Sequence, residues 1–295
     1  MTALESPWSI TGADGQTILG DCHTPARTPL GVLLIVHGFL GYKDYGMFPP
    51  LARTMAHAGY IAHRFNLSHS GMTNAIETFE RLDLFERDTW RKQVHDVCAV
   101  VRAINRGELA GQNLPYALFG HSRGGDTCLL AAAEMFEQRQ PRPPNAVITA
   151  AAPSALCRMD EPTRAAVLAQ GFIETRSNRT GQTLRIGKAW LQEQIDHPAW
   201  HDVCARIRSI NCPLLILHGQ SDPTVPVQDA RELADAARSH RPGQITEIRV
   251  VPDASHVFNT PNPMPRDQTP SDAFAQLTDA ITMFVNAYLP ENMTI

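Results

Sequence analysis

Long apolar runs, an excess of positive charge and closely spaced cysteine pairs are all missing from this sequence. No apolar stretch approaches the length that a membrane-spanning helix needs. The 26 Lys and Arg residues face 30 Asp and Glu residues, which leaves a formal net charge of −4 and no basic stripe typical of nucleic-acid binding. The opening MTALESPWSI has neither the basic flank nor the apolar segment of a secretory signal. We therefore expect no nucleic-acid partner and no membrane partner.

The cysteines and histidines give no sign of a disulfide framework or a metal site. The six cysteines are scattered without a C-x-x-C pair, and they are Cys22, Cys98, Cys128, Cys157, Cys204 and Cys212. This pattern favours free thiols in a reducing compartment, so the expected location is the cytoplasm. His197 and His201 are four residues apart, but Pro198 lies between them and no third ligand is near in the sequence. We expect neither a metal nor a cofactor.

The order of the apolar segments predicts an α/β fold. Short apolar runs alternate with longer amphipathic stretches, which is typical of a mostly parallel central sheet with helices on both faces. The opening segment predicts two strands joined around Asp14 and Gly15. The later strands are expected at 30–38, 60–66, 116–120, 146–153, 213–219 and 245–251, and the helices at 47–58, 89–104, 122–136, 227–240 and 271–288. Asp88 is placed to cap the second of these helices.

One segment interrupts the alternation of strands and helices. Residues 155–206 separate two predicted strands by far more than a helical crossover requires. We interpret this segment as a cap inserted into a core domain formed by residues 1–154 and 207–295. Within it, 174–187 predicts two short strands around Gly181. Residues 72–88 show only a weak signal for a short helix.

A small-residue cluster after one predicted strand points to catalytic chemistry. Gly120-His121-Ser122-Arg123-Gly124 satisfies the G-x-S-x-G pattern, and it follows a predicted strand and opens a predicted helix. In that context Ser122 occupies a strained corner beside the partial positive charge of a helix N-terminus. The alternative is a polar residue in a glycine-rich loop. The strand and helix on either side favour the nucleophile.

A serine nucleophile needs a base, and the base needs an acid that orients it. After the strand PLLILHG, the loop QSDPTVP contains one acid, Asp222, and after the final strand the segment PDASHVF contains one histidine, His256. The order serine, acid, histidine is the one expected for a nucleophile on such a turn. Asp253 is the rival acid. The alternatives are a loop-capping Asp222 and a surface-loop His256.

The oxyanion of a tetrahedral intermediate needs backbone donors. One predicted donor is the N–H of Arg123, and the other is the N–H of Phe39 in the segment HGFLG after the first central strand. His37 in that segment is interpreted as a structural histidine that shapes the turn.

The motifs HGF, GHSRGG, GQSDPTVP and ASHVF together resemble the α/β-hydrolase fold superfamily over residues 8–289. HGFLGYKD and the long insertion are similar to the cinnamoyl/feruloyl esterases and the dienelactone-hydrolase-like esterases. The resemblance implies a cap that closes over the serine and shapes an acyl or aryl pocket. Many relatives carry Asp followed by R-G-H-G-x-S where this chain has Asn66 and then LSHSG, and Ser122 separates it from the thiol-based dienelactone hydrolases.

The predicted cap carries four cations with no acid between the first and the last, namely Arg176, Arg179, Arg185 and Lys188. They either attract a carboxylate or phosphate on the substrate or form a solvated hairpin face, and the second interpretation is favoured. Likewise, Phe39, Trp190 and Trp200 either wall an aromatic pocket or pack in the core, and packing is favoured for the tryptophans.

The predicted function is hydrolysis of a small-molecule carboxylic ester through an acyl-enzyme formed on Ser122, with His256 as base and Asp222 as its orienting acid. A thioesterase, a peptidase or a carbon–carbon bond hydrolase with the same triad stays open, because the cap and not the triad selects the substrate. A non-catalytic binding protein of the same fold is a further, less favoured alternative.

Overall fold

In the computed structural model, which describes residues 4–289, ten strands form two separate sheets. The strands are β1 (Leu4–Thr11), β2 (Thr17–Thr24), β3 (Gly31–Val36), β4 (Tyr60–Asn66), β5 (Tyr116–His121), β6 (Ala146–Ala150), β7 (Phe172–Arg176), β8 (Thr183–Gly187), β9 (Leu214–Gly219) and β10 (Thr246–Val251). Eight of them form one sheet in the order β1-β2-β4-β3-β5-β6-β9-β10, and β7 and β8 form the other. Within the large sheet only the β1–β2 and β2–β4 pairs are antiparallel.

Helices cover both faces of the large sheet. The helices of the described residues, including those that do not pack on the large sheet, are α1 (Phe48–Ala58), α2 (Leu82–Glu86), α3 (Trp90–Asn105), α4 (Arg123–Gln138), α5 (Glu161–Gln170), α6 (Lys188–Asp196), α7 (Pro198–His201), α8 (Val203–Arg206), α9 (Val227–His240) and α10 (Asp272–Tyr288). The prediction of a mostly parallel sheet between two helical layers is therefore confirmed.

The central strands are buried on both faces, which explains their continuous apolar runs. Along β3, alternate side chains point to opposite faces: Val32, Leu34 and Val36 join the core beneath α3, α4 and α9, whereas Leu33 and Ile35 join the core beneath α1 and α10. This two-sided burial holds the carboxyl ends of the parallel strands at one edge, where ligand-facing loops collect.

The residue that caps α3 differs from the sequence expectation. Thr89 has extended backbone angles and its hydroxyl accepts a hydrogen bond from the Lys92 N–H, so Thr89 and not Asp88 is the N-cap. The Asp88 carboxylate instead accepts a hydrogen bond from the Gln93 side chain at 2.5 Å. Burial raises the pKa of Asp88 to about 7.

The predicted cap, residues 155–206, contains α5, the β7–β8 hairpin and α6 to α8, and neither of its strands joins the large sheet. Trp190 and Leu191 of α6 belong to the core cluster on the α4 side of the sheet. Residues 72–88 contain the short helix α2, and they pack through the buried Phe79 and Phe85 into a small cluster that includes Leu184 of β8.

No helix among residues 4–289 combines the length and apolar character required to span a bilayer.

Candidate active site

The turn from β5 to α4 holds Ser122 in a strained backbone conformation. Its φ of 53° and ψ of −128° lie in a region that side chains other than glycine rarely adopt. The Ser122 N–H donates to the carbonyl of Ala150 on the neighbouring β6 at 2.7 Å. The surrounding sheet therefore holds the turn, and it presents the hydroxyl at the carboxyl edge of the parallel strands.

The two glycines of G-x-S-x-G are required by close backbone contacts. A Cβ added to Gly120 would lie 2.0 Å from the carbonyl oxygen of Gly124, and one added to Gly124 would lie 2.4 Å from the carbonyl oxygen of Val36. Neither separation is possible for a real side chain. The sequence pattern thus follows from how tightly β3, β5 and α4 meet beneath Ser122.

The structure brings Ser122, His256 and Asp222 into one chain of hydrogen bonds. His256 Nε2 lies 3.0 Å from Ser122 Oγ, and His256 Nδ1 lies 2.8 Å from Asp222 Oδ2. Asp222 follows β9 and His256 follows β10, as the sequence order predicts. Asp253, the rival acid, is exposed at the surface. Among residues 4–289, the carboxylate that contacts the His256 ring belongs to Asp222.

The side chain of Asp222 is fully buried, yet its surroundings favour the charged form. Burial alone would raise its pKa, but hydrogen bonds from His218 and His256 and from the backbone N–H of Val225 hold the pKa well below its usual value. His218 Nε2 lies 3.3 Å from Asp222 Oδ2 and 2.9 Å from the carbonyl oxygen of Val225. Asp222 therefore stays ionised and can orient a histidine.

Sequence reasoning missed the contact between His218 and Asp222. His218 follows the apolar residues of β9, at a buried position where a polar residue is unexpected. That position is the sequence feature that could have indicated the contact with Asp222. Similarly, His121, next to Ser122 in the sequence, donates from Nε2 to the backbone carbonyl of His256 at 2.7 Å. Burial lowers the pKa of His121 to about 3, so this ring is neutral and holds the loop that carries His256.

The loop after β3 packs directly on the turn that carries Ser122. A Cβ on Gly38 would lie 2.9 Å from the carbonyl oxygen of His121 and 3.0 Å from the Ser122 Cβ, so only glycine allows this approach. Among the described residues, neither the Phe39 nor the Arg123 backbone N–H has a hydrogen-bond acceptor. Both predicted oxyanion donors are therefore free for a ligand.

His37 shapes this loop, as expected of a structural histidine. Its Nδ1 donates to the Gly38 carbonyl at 2.9 Å, and its Nε2 accepts the N–H of Leu67 at 3.1 Å. Burial lowers the pKa of His37 to about 4, so the ring is neutral and this pattern fixes one tautomer.

Asn66, where many relatives have Asp, also anchors the loop. Its Oδ1 accepts the N–H of Lys43 at 2.7 Å, and its Nδ2 donates to the Thr73 carbonyl at 3.0 Å. An aspartate has no N–H to donate to Thr73. Asn66 thus connects the loop after β3 to the segment that begins at residue 72.

Arg123 connects the nucleophile turn to the predicted cap. Its guanidinium lies 4.5 Å from the Trp90 ring, 5.1 Å from the Trp190 ring and 5.4 Å from the Phe39 ring.

Trp190 is buried in this packing, and Trp200 donates to Glu134 on α4 at 2.9 Å. Of the three aromatic residues considered for the pocket wall, Phe39 lines the cavity at Ser122.

A cavity of about 350 Å³ opens directly above Ser122 and His256. Its apolar lining comes from Phe39, Leu40 and Phe48, and its opposite side is the turn 176–179 of the predicted cap. The volume lies at the lower end of the range for small-molecule sites, about 300 to 1,000 Å³. The cavity can therefore hold a small acyl or alcohol group beside the Ser122 hydroxyl.

Comparisons with known proteins agree with this architecture. The esterase domain of a Rhodothermus marinus protein superimposes with a TM-score of 0.64 at 19% identity, over 97% of this chain and 100% of that one. Est1E from Butyrivibrio proteoclasticus, solved with bound ferulic acid, gives 0.69 at 18% identity, over 95% and 98%. Pyrococcus horikoshii acylaminoacyl peptidase gives 0.65 at 15% identity, over 98% of this chain but 42% of that protein. No curated protein sequence matches the chain.

These structural similarities show the fold, and together with a family match they confirm the resemblance to the α/β-hydrolase superfamily. The profile of the Prolyl oligopeptidase family matches residues 52–278, which is well over half of the chain. The matched region includes Ser122, Asp222 and His256. The chain therefore belongs to the Prolyl oligopeptidase family and is a serine hydrolase of the α/β-hydrolase fold.

Proposed function

We propose that the protein hydrolyses small carboxylic esters with Ser122 as nucleophile, His256 as general base and acid, and Asp222 as the orienting carboxylate. The observation that carries the proposal is the continuous hydrogen-bond chain from Ser122 Oγ through His256 to Asp222, with links of 3.0 and 2.8 Å, at the floor of a cavity.

In the proposed reaction, His256 Nε2 takes the Ser122 proton as Oγ attacks the ester carbonyl carbon. The oxyanion of the tetrahedral intermediate accepts hydrogen bonds from the N–H groups of Phe39 and Arg123. His256 then donates its proton to the leaving alcohol, which leaves an acyl group on Ser122. A water molecule, deprotonated by His256, then attacks the acyl carbon. The bond from that carbon to Ser122 Oγ breaks, the acid leaves, and His256 returns the proton to Oγ.

Asp222 makes these transfers possible because a charged carboxylate stabilises the imidazolium that forms after each proton abstraction. Its low pKa supports this role. In this scheme His256 carries every proton transfer and backbone N–H groups make every oxyanion contact, so we propose that no metal or cofactor takes part. The predicted cap, through its turn 176–179, would close one side of the substrate cavity.

We propose that the protein acts in the cytoplasm on a free small-molecule substrate, and that it has no nucleic-acid or membrane partner. All six cysteines are free thiols, which supports a reducing compartment.

A peptidase with the same triad is the second candidate, because the chain matches the Prolyl oligopeptidase family and shares its fold with an acylaminoacyl peptidase. The cavity favours the ester hydrolase, since about 350 Å³ holds a small group more readily than several residues of a peptide.

The test is hydrolysis of p-nitrophenyl acetate, butyrate and octanoate, together with acyl-amino-acid p-nitroanilides, by the wild type and Ser122→Ala. We expect turnover of the short-chain esters, slower turnover of the octanoate, and background rates for the variant. Turnover of the anilides at rates equal to or above those of the esters would instead identify a peptidase. Equal ester rates for the wild type and the variant would refute the assignment of Ser122.

A further inference from the structure

The cavity above Ser122 has an uneven distribution of charge. Arg176 and Arg179 line it from the β7–β8 turn, together with the polar Ser177 and Asn178. No Asp or Glu is among its lining residues within the part of the chain that the structure describes. An unbalanced positive charge inside a concave site raises the local concentration of anionic ligands.

Arg179 is held in place by the protein. Its Nη1 donates to the carbonyl of Ile76, and its guanidinium lies 4.5 Å from the Tyr42 ring and 5.2 Å from the Phe79 ring. Because none of these partners is an anion, the contacts fix the position of the charge without neutralising it. Arg179 is therefore a stationary positive charge in the cavity wall.

Arg176 is the cation whose guanidinium is free to bind. It is exposed at the end of β7, and among residues 4–289 it has no hydrogen-bonded or ion-paired side-chain partner. The nearest carboxylate on the same face of the hairpin, that of Glu174, pairs with Arg185 at 3.4 Å. Arg185 also packs over the Phe172 ring at 4.1 Å. The local acid is thus engaged by a different arginine.

We propose that the cavity selects esters that carry a carboxylate, with the free guanidinium of Arg176 as its binding partner and Arg179 as a fixed supporting charge. A guanidinium matches a carboxylate with two parallel hydrogen bonds, which a neutral chain end cannot form. The inference rests on the proposed ester hydrolase and names its substrate class. It also gives a function to two of the four cations for which the sequence favoured a solvated face.

The experiment compares charged and neutral esters of similar length by pH-stat titration. Monoethyl adipate against ethyl heptanoate places the charge on the acyl half, and 6-acetoxyhexanoate against hexyl acetate places it on the alcohol half. For each pair, the readout is the ratio of kcat/KM for the charged ester to that for the neutral ester. The pair with the higher ratio identifies which half of the substrate reaches Arg176.

We expect the wild-type enzyme to prefer the charged ester of at least one pair. In Arg176→Gln that ratio should fall about tenfold or more, which is the usual effect of losing a hydrogen bond to a charged group. Arg176→Lys should retain part of the preference. Lys188→Gln is the matched control, because it removes an exposed cation of the predicted cap that does not line the cavity and pairs with no carboxylate among the described residues, and its ratio should equal the wild-type value. About 0.5 M sodium chloride should lower the wild-type ratio by screening.

A wild-type preference for both neutral esters, or an equal fall of the ratio in Arg176→Gln and Lys188→Gln, would overturn the inference. In either case, hydrolysis of the neutral esters that disappears in Ser122→Ala would leave the proposed function intact. If the wild type hydrolyses none of the four esters and none of the p-nitrophenyl esters, the proposed function and the inference fail together.

Discussion

Replacing Asp222 with asparagine keeps the shape of the side chain and removes its charge. Asp222 Oδ1 accepts the N–H groups of Thr224 at 2.8 Å and Val225 at 2.9 Å, and Oδ2 lies 2.8 Å from His256 Nδ1. The amide oxygen of asparagine can keep the two backbone hydrogen bonds, so the loop after β9 retains its conformation. The amide NH₂ group then faces His256 Nδ1.

An NH₂ group facing Nδ1 requires that nitrogen to accept a hydrogen bond, which moves the ring proton to Nε2. The protonated Nε2 can no longer take the Ser122 proton. A comparable Asp-to-Asn change in a serine protease triad lowers kcat about 10⁴-fold. We expect a loss of about 10³- to 10⁴-fold here, or about 4 to 5.5 kcal/mol in the activation free energy, with little change in KM.

The assay is steady-state hydrolysis of p-nitrophenyl butyrate, with urea unfolding as a check that the variant is folded. Asp253→Asn is the matched control, because Asp253 is an exposed acid three residues before His256. It should keep wild-type kcat. A kcat for Asp222→Asn above about one tenth of the wild-type value, or an equal loss in Asp253→Asn, would refute the proposed orienting role.

Three further predictions follow from contacts around the site. In His121→Phe, loss of the 2.7 Å hydrogen bond to the His256 carbonyl should lower kcat about tenfold in the same assay. Unchanged kinetics would contradict the inference that His121 holds the loop that carries His256. Gly120→Ala places a Cβ 2.0 Å from the Gly124 carbonyl oxygen and should reduce the free energy of unfolding by more than about 3 kcal/mol in urea titrations, whereas wild-type stability would contradict the packing argument. Burial raises the pKa of Asp88 to about 7, so the folded protein keeps a proton that the unfolded chain releases above about pH 4. The free energy of unfolding of the wild type therefore falls as the pH rises from about 4 to about 7. Relative to the wild type, the free energy of unfolding of Asp88→Asn in urea titrations should increase over the same pH range, whereas a constant difference would refute the assignment.

The sheet and the nucleophile turn could be predicted because their signals are local in the sequence. The apolar runs of β3, β5 and β9 reflect burial on both faces, and the glycines around Ser122 reflect backbone contacts that no other residue permits. Chain order then indicated Asp222 and His256, since each follows the carboxyl end of a strand. Features that depend on one short segment can therefore be predicted from the sequence without knowledge of the fold.

The remaining features depend on contacts between distant segments. Nothing near His121 in the sequence indicates that its ring donates to a carbonyl 135 residues away. Asp88 and Thr89 are both suitable N-caps by residue type, but in the structure Thr89 caps α3 and the Asp88 carboxylate accepts a hydrogen bond from Gln93. Likewise, the sequence does not show that Glu174 pairs with Arg185 across the hairpin, a contact that leaves Arg176 without an ion pair among the described residues.

The proposed reaction depends on activation of the Ser122 hydroxyl by His256. The most direct test is labelling with diisopropyl fluorophosphate, followed by peptide mass spectrometry. We expect one modified peptide, containing residues 117–126, with the label on Ser122, and we expect slow labelling of a folded His256→Ala variant. Labelling at another serine, or equal labelling rates for the wild type and His256→Ala, would contradict the account.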